Sequence, residues 1–289
     1  METQLKIIEC PRDAMQGIKT FIPTKDKIRY IQSLLDVGFD TIDFGSFVSP
    51  KAIPQMRDTA QVLAGLDLSN TNTKLLAIVA NMRGVNDAVQ FEQIDYLGYP
   101  FSLSEIFQMR NTSKTIGQSC DLLQQIMDTA EKHHKKVNVY FSMGFGNPYG
   151  DPWNEEIVEY WVERVYHLGV RLISLSDTVG TADPESIKRI FSHLIPKYPD
   201  IEFGAHLHTH PKSWYDKVDA AYQGGCRRYD SAIKGFGGCP MAKDELVGNL
   251  PTEKLLSYFA QNQIDTGIRT TAFENAYNES QRVFLGNTL

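Results

Sequence analysis

The sequence is poor in the features that mark several classes of protein. Its four cysteines, Cys10, Cys120, Cys226 and Cys239, are too few and too scattered for a disulfide scaffold, and none lies in a Cys-x-x-Cys pair typical of structural zinc. No apolar run approaches membrane-spanning length, and METQLKIIEC lacks the charged lead and long apolar run of a secretory signal. We therefore expect a cytoplasmic protein that does not enter a membrane.

The sequence also lacks a strongly basic surface. The formal net charge is −6, and the best basic candidate, EKHHKK at 131–136, is better explained as the solvated end of a helix. General nucleic-acid binding is therefore disfavoured. A Gly-x-Ser-x-Gly elbow is absent as well, which argues against a serine hydrolase.

What is present is the composition of an ordinary globular chain. Hydrophobic residues make up 42% of the 289 residues and charged residues 22%. This length suits one α/β barrel, so we expect a single catalytic domain over residues 1–289. The tail from 266 to 289 gives little functional information, and we expect it to form a helical extension, either on the rim of the barrel or in self-association.

Short apolar runs alternate with longer segments of helical period. The predicted strands are 5–10, 41–44, 74–80, 137–142, 171–176, 201–208 and 227–233, and the predicted helices include 25–37, 117–134, 154–168, 184–194 and 213–223. This alternation predicts parallel strands joined by helical crossovers.

Glycines end several of the predicted helices. Gly38, Gly169 and Gly224 or Gly225 stand where a helix gives way to a strand, and glycine tolerates the left-handed conformation that such sites need. Asp183 followed by Pro184 is typical of a helix start. These residues at the helix ends fit a doubly wound sheet too. About eight strand candidates and the lack of a Gly-x-Gly-x-x-Gly turn favour a (β/α)₈ barrel, also called a TIM barrel.

Active sites of such barrels are built at the carboxyl ends of the strands. Applied to this chain, that rule selects polar residues at or after five of the predicted strands, together with the glycine-rich segment KGFGGCP at 234–240, which follows the last predicted strand. These polar residues are Arg12, Asp13, Asp43, Ser46, Tyr140, Asp177, His206 and His208.

Two histidines form the most informative pair. His206 and His208 are two residues apart in a predicted strand, so both side chains point to the same face and could bind one ion. Spacing alone leaves a second interpretation equally open, in which both are hydrogen-bonded histidines in a polar barrel interior. Asp13 is a suitable oxygen ligand, and Arg12 could donate to a developing oxyanion.

Cys239 differs from the other three cysteines in its surroundings. The glycines before it let the backbone approach a ligand closely, so this thiol could act as a general acid or nucleophile. Cys10, Cys120 and Cys226 lie in strand or helix patterns and are expected to be buried thiols.

Four segments together resemble the 3-hydroxy-3-methylglutaryl-CoA lyase family, which belongs with isopropylmalate and homocitrate synthases among metal-dependent Claisen-type barrels. IIECPRDAMQ resembles its opening Arg-Asp motif, and SFVSPKAIPQM at 46–56 its second-strand loop. SLSDTVG at 174–180 is similar to its Asp-Thr turn, and GFGGCPMA at 235–242 to its signature loop. The last motif is the most specific, because the synthases lack it.

The resemblance implies roles for particular residues. A Mg²⁺ or Mn²⁺ ion would be bound by Asp13, His206, His208 and Asn249. Arg12 would stabilise the enolate oxygen, Cys239 would donate or relay a proton, and His206 would also shuttle a proton. Asp177 and Tyr140 would help to orient the substrate and its proton transfers. The implied contacts with substrate or CoA are Gln16, Lys19, Asp43 and Ser46.

The implied reaction is cleavage of 3-hydroxy-3-methylglutaryl-CoA, or a related 3-hydroxyacyl-CoA, to acetoacetate and acetyl-CoA by an enzyme that could form a homodimer. The alternative is a synthase that condenses acetyl-CoA with a 2-oxo acid. Ala14, Ile18, Asp43 and Thr209 depart from the family pattern. These departures suggest a divergent member, whose acyl substrate could differ.

Overall fold

The structure, a computed structural model, describes residues 4–238 and 247–284. Its central feature is a ring of eight parallel strands, closed because the first strand pairs with the eighth and the sixth with the seventh. The strands are β1 (Lys6–Glu9), β2 (Thr41–Ser46), β3 (Lys74–Ile78), β4 (Tyr96–Ser102), β5 (Lys136–Ser142), β6 (Leu172–Asp177), β7 (Glu202–Thr209) and β8 (Arg228–Ser231). The predicted (β/α)₈ barrel is therefore confirmed.

Helices connect and surround the strands. They are α1 (Pro11–Gln16), α2 (Thr24–Leu35), α3 (Thr59–Ala64), α4 (Met82–Ala88), α5 (Glu105–Thr112), α6 (Ile116–Lys132), α7 (Glu155–His167), α8 (Pro184–Lys197), α9 (Trp214–Gln223), α10 (Thr252–Gln261) and α11 (Thr270–Phe284). Local sequence sets several starts: Asp183 accepts a hydrogen bond from the Ser186 amide ahead of Pro184, as predicted. None of the described helices is both long and apolar enough to cross a bilayer.

The predicted glycine turns are present. Gly38, Gly169 and Gly225 have φ values of 95°, 93° and 96°, a region that other residues rarely adopt. Each lies between a helix and the strand that follows it. These turns set where the strands β2, β6 and β8 enter the barrel.

One barrel strand was not predicted from the sequence. β4 has the sequence YLGYPFS, in which glycine and proline both lower the propensity for a strand. It nevertheless pairs with β5 over seven residues, from Tyr96 opposite Lys136 to Ser102 opposite Ser142. The closure of the barrel therefore outweighs the local preference of this segment.

The apolar core is divided by the barrel wall. Most buried apolar side chains lie between the strands and the surrounding helices. A separate small cluster consists of Leu76, Tyr96, Tyr140 and Leu172, which come from β3, β4, β5 and β6. The strand register pairs Tyr140 with Ser174 and Ser176 with His206, so these side chains lie on the same face of the sheet as His206 and His208. This face lines the interior of the barrel.

Two further elements complete the end of the barrel that carries the strand carboxyl termini. A short strand, β9 (Gly248–Asn249), pairs antiparallel with β7 and sets Asn249 opposite His208. The tail forms α11, which packs on α2 through Tyr30 and Phe284, with ring centroids 5.7 Å apart. Phe284 also stacks on Phe236 at 4.5 Å, so this helix supports the start of the glycine-rich segment.

Candidate metal and active site

The first part of the site follows directly from β1. Pro11 begins α1, whose first turn carries Arg12 and Asp13, both buried. Arg12 Nη1 donates to Asp13 Oδ1 at 2.8 Å and to Gln16 Oε1 at 3.0 Å, and Gln16 Nε2 donates to Asp13 Oδ1 at 2.7 Å. The short helix thus holds its own carboxylate and guanidinium in one orientation.

Asp43 anchors the other side of Arg12. It points into the barrel from β2, and the Arg12 Nε and Nη2 atoms both donate to its carboxylate. Burial raises the pKa of Asp43 to about 6, against the opposing pull of Arg12, so the pair stays ionised at neutral pH. Burial alone would lower the pKa of Arg12, but the carboxylates of Asp43 and Asp13 raise it. Arg12 is therefore a permanent, fixed cation at this end of the barrel.

The two histidines converge as the strand spacing predicted. His206 and His208 both point inward from β7, with ring centroids 5.4 Å apart. One ligand atom from each, with one from Asp13, lie within 4.8 Å of one another. The His208 Nδ1 atom lies 2.9 Å from the Thr178 carbonyl oxygen and therefore donates to it. Nε2 of His208 is then an acceptor, and it is buried without a partner among the described residues.

Asn249 joins this group through β9. Its Nδ2 atom donates to Asp13 Oδ2 at 2.7 Å and to the Phe236 carbonyl oxygen at 2.9 Å. The side chain is buried and lies opposite His208 in the strand pairing. All four predicted metal ligands are therefore brought together, although they are up to 236 positions apart in sequence.

The electrostatics of this group suit a divalent cation. Burial would raise the pKa of Asp13, but Arg12 and the two histidines lower it, so the carboxylate is an anion. Burial and the neighbouring His206 lower the pKa of His208, which favours the neutral imidazole. Burial would lower the pKa of His206, but Asp230 and Asp13 raise it. A buried carboxylate, imidazole nitrogens and an amide oxygen are a donor set that Mg²⁺ or Mn²⁺ accepts, and His208 Nε2, without a partner among the described residues, supplies an open lone pair. The residues therefore fit a metal ion.

Tyr140 lies beside the histidines, as predicted. Its ring meets His206 edge-to-face, with centroids 5.7 Å apart, and its hydroxyl is buried without a partner among the described residues. Burial, with the charges of Asp230 and Asp43, raises the pKa of Tyr140 well above its ordinary value. The hydroxyl is therefore a neutral donor inside the barrel.

Asp177 has a different position from the one expected of a group that contacts substrate. Its carboxylate faces the helix layer, where it accepts from Lys217 Nζ at 2.6 Å and from the Ala182 amide at 3.1 Å. Lys217 Nζ also donates to the His208 carbonyl oxygen at 3.2 Å. Because side chains alternate along β6, Ser176 points inward and Asp177 outward. Asp177 therefore supports the end of β7 from behind the barrel wall.

Two predicted substrate contacts lie outside the metal group. Ser46 Oγ donates to the Ile78 carbonyl oxygen at 3.3 Å and accepts from the Val48 amide. Ser46 borders a groove of about 410 Å³ between the β2 loop and α4, which also includes Arg57 and Arg83. Lys19 is exposed just after α1. Both remain predictions for contacts with the CoA part of a substrate.

The glycine-rich segment approaches the metal group closely. A Cβ atom on Gly237, which has a φ of 91°, would lie 2.7 Å from the Asp13 carbonyl oxygen and 2.8 Å from Asn249 Nδ2. Only glycine fits there. Cys239, the predicted proton donor, lies outside the described residues.

Sequence reasoning missed Asp230, which is buried on β8 and lies directly beside the candidate ligands. Its Oδ2 atom is 3.0 Å from His206 Nδ1. The sequence feature that could have indicated it is an acidic residue inside the predicted strand 227–233, two positions after Arg228 and therefore on the same face. The other three cysteines are buried, as expected.

Together, the barrel and its inward-facing Asp-His-His-Asn group define a (β/α)₈ protein with a candidate divalent-metal site at the carboxyl end of its strands. Comparison with known proteins makes this class more specific. The family model described as HMGL-like matches residues 4–279, and the chain belongs to this family.

Individual relatives agree with that assignment. Hydroxymethylglutaryl-CoA lyase YngG of Bacillus subtilis is 31% identical over 90% of this chain and 86% of its own. A Pseudomonas aeruginosa protein, the 3-hydroxy-3-isohexenylglutaryl-CoA/hydroxy-methylglutaryl-CoA lyase, is 29% identical over 94% and 90%. A solved HMG-CoA lyase from Acinetobacter baumannii, in complex with coenzyme A and 3-methylmalate, superimposes with a TM-score of 0.89. It is 32% identical and covers 97% of this chain and 91% of its own. These comparisons confirm the family resemblance and favour the lyase interpretation over the synthase one.

Proposed function

We propose that this protein is a divalent-metal-dependent carbon–carbon lyase that cleaves 3-hydroxy-3-methylglutaryl-CoA, or a closely related 3-hydroxyacyl-CoA, to acetoacetate and acetyl-CoA. The observation that carries the proposal is the convergence of Asp13, His206 and His208 beside Arg12, with His208 Nε2 buried and unpartnered among the described residues. The names of the relatives supply the substrate class.

The reaction makes three demands on the site. A base must take the proton of the tertiary C3 hydroxyl, so that its oxygen becomes the ketone of acetoacetate. The C2–C3 bond then breaks, and its electron pair passes to the thioester as an enolate. A proton donor must finally protonate C2 of this enolate to give acetyl-CoA.

Asp13, His206, His208 and Asn249 would hold the ion. Bound Mg²⁺ or Mn²⁺ supplies Lewis-acid polarisation of the substrate oxygens. Asp13 is fixed for this task by Arg12 and Gln16, and His208 by the Thr178 carbonyl oxygen. His206 would relay the proton of the C3 hydroxyl, and the Tyr140 ring, which contacts His206, would carry a neutral hydroxyl donor beside it.

Arg12 would stabilise the oxygen of the enolate. Its Nε and one Nη2 hydrogen bind Asp43, and Nη1 binds Asp13 and Gln16. Among the described residues this leaves the second Nη2 hydrogen to donate to a substrate oxygen. A cation held in advance by three side chains needs little reorganisation as negative charge develops. Cys239 would protonate the enolate. For this step its thiol would have to lie close to C2 of the enolate.

The substrate would reach this site from the open end of the barrel. Lys19 and Ser46 would contact its CoA portion, with Gln16 and Asp43 acting on the acyl end through Arg12. We also propose a single catalytic domain, a homodimer and a cytoplasmic location, each of which remains a prediction. Protein concentration dependence in sedimentation would test the dimer.

The direct test is release of acetyl-CoA from 3-hydroxy-3-methylglutaryl-CoA with Mg²⁺ or Mn²⁺ and a thiol reductant. We expect release that a chelator stops and that Cys239→Ala and His206→Ala each abolish. Cys120→Ala and His193→Ala are matched controls, because Cys120 is buried in α6 and His193 pairs with Glu159 on the outside of α8. Both controls should keep wild-type activity.

Absence of release from folded, metal-binding protein would contradict this substrate assignment. Longer 3-hydroxyacyl thioesters, and acetyl-CoA with a 2-oxo acid, are then the substrates to assay. The first set would preserve the lyase reaction with another acyl group. Turnover in the second assay alone would replace the lyase by a synthase.

A further inference from the structure

The hydrogen bond between His206 and Asp230 is built into the sheet. His206 on β7 and Asp230 on β8 are direct partners in the parallel register. Both side chains point into the barrel, and Asp230 Oδ2 lies 3.0 Å from His206 Nδ1. Asp230 is only 2% exposed, so water does not compete for this contact.

This contact determines which nitrogen of His206 faces the other ligands. Nδ1 is directed at the carboxylate, so it carries the proton, and Nε2 is left with a free lone pair. The ring cannot easily turn, because Tyr140 packs edge-to-face on it from β5. Metal-binding histidines typically donate their second nitrogen to a carboxylate or carbonyl oxygen, which fixes the tautomer and strengthens the ligand.

The surroundings keep Asp230 in the acceptor role. Arg228 lies two residues earlier on the same face of β8 and is 1% exposed. Burial would lower its pKa, but the charges of Asp230 and Glu202 raise it, so a buried cation lies near the Asp230 carboxylate without a hydrogen bond to it among the described residues. Cys10 is the other group of this cluster, with its sulfur within 4.8 Å of His206 and Asp230 ligand atoms. Burial, with the charges of nearby carboxylates, raises the pKa of Cys10, so this group is a neutral thiol.

We propose that Asp230 is a positioning residue, which holds the His206 ring with Nδ1 protonated so that Nε2 faces the metal ion. The inference rests on the metal site of the proposed function, not on the identity of the substrate. In this arrangement Asp230 itself would contact neither the ion nor the reacting atoms. His208 has the same arrangement with a backbone acceptor, the Thr178 carbonyl oxygen.

The test is the dissociation constant of Mn²⁺, measured by electron paramagnetic resonance of the free ion at one fixed pH. We expect Asp230→Asn to weaken Mn²⁺ binding by about 10–100-fold. In the His206→Ala background the same substitution should change the constant by less than about threefold, because the residue then has no ring to position. Asp58→Asn, at a buried carboxylate paired with Lys27, is the matched control and should leave the constant unchanged.

A wild-type constant for Asp230→Asn would overturn the proposal. So would an equal loss in both backgrounds, because Asp230 would then act through its charge and not through His206. If Asp230→Asn does not fold, Asp230→Glu provides the second variant: it keeps the charge but moves the oxygen, and a loss smaller than about threefold would contradict positioning. Mn²⁺ binding is measured without substrate, so an inactive enzyme would not affect this result.

Discussion

Two kinds of buried charged network lie in this barrel, and they differ in how completely their members are bonded. In the helix layer, Lys217 Nζ has three acceptors, and both oxygens of its partner Asp177 are occupied. Inside the barrel, the buried atoms without a hydrogen-bond partner among the described residues include His208 Nε2, the Tyr140 hydroxyl and Asp230 Oδ1. Leaving such groups unbonded costs free energy. We therefore interpret the fully bonded network in the helix layer as one that stabilises the fold, and the network inside the barrel as one that is arranged to bind a ligand.

Lys27 and Asp58 form a second network of the stabilising kind. Lys27 Nζ donates to Asp58 Oδ1 at 2.7 Å, and Thr24 Oγ1 donates to Asp58 Oδ2 at 2.8 Å. Lys27→Met would leave the buried carboxylate unpaired, which should lower the free energy of unfolding by about 3–5 kcal/mol. Urea denaturation measures this loss. The Mn²⁺ dissociation constant of the folded variant should stay within about twofold, since distant sites act independently. A larger change would show that the Lys27–Asp58 pair is coupled to the metal site.

Arg12 belongs to the network inside the barrel, and its loss should act on the reaction. With Arg12→Met we expect kcat to fall by about 10²–10³, the effect of removing one oxyanion donor. Arg12→Lys keeps the charge but not the paired geometry, so it should fall between the variant and wild type. Steady-state kinetics at saturating Mn²⁺ measure both, and an unchanged kcat in Arg12→Met would remove Arg12 from the chemistry.

Glu9 is a buried carboxyl group outside the barrel interior, and it should make the stability of the protein depend on pH. It is fully buried on the outer face of β1, where it accepts from the Ile233 amide and the Thr252 hydroxyl. Burial raises its pKa to about 8. Between about pH 4.5 and 8 the folded chain therefore binds a proton that the unfolded chain has lost, so stability falls as pH rises through this window and is highest below it.

The size of this loss is on the order of 1.4 kcal/mol for each pH unit in the window. Glu9→Gln cannot ionise and should remove the contribution of Glu9 to the slope. Denaturation at pH 5, 6.5 and 8 measures the slope in both proteins. An equal slope in wild type and variant would show that Glu9 is not the group responsible.

Substitution of Gly237 should have the smallest of these effects, and it tests the close approach of this residue to Asp13 and Asn249. Gly237→Ala should weaken Mn²⁺ binding by about 10-fold or more, because the added Cβ would meet Asp13 and Asn249 at less than 3 Å. Gly267→Ala is the control: it also has a positive φ, 68°, but nothing within 4 Å of the new atom. It should lose about 1 kcal/mol of stability from backbone strain and keep wild-type Mn²⁺ binding. Equal effects of the two variants on binding would contradict the close approach.

Much of the fold could be predicted from the sequence because strand runs and glycine turns are local signals. β4 could not, since its glycine and proline hide a strand that barrel closure requires. The expectation that active-site residues lie at the carboxyl ends of the strands correctly placed Arg12, Asp13, His206 and His208 close together. It could not show that Asp177 faces outward, because this depends on the register of β6 with β7. Asp230 was missed because an acidic residue inside a strand pattern does not by itself show which residue of a neighbouring strand it pairs with.

The position of a bound ion would show directly whether Asp13, His206, His208 and Asn249 hold a divalent metal. Crystals grown with Mn²⁺ would show the ion by its anomalous scattering. We expect one peak within about 2.0–2.6 Å of Asp13, both histidine Nε2 atoms and the Asn249 amide oxygen, the range of ligand distances for divalent cations. A peak at another group of side chains, or none at a concentration that supports activity, would contradict the metal-dependent mechanism.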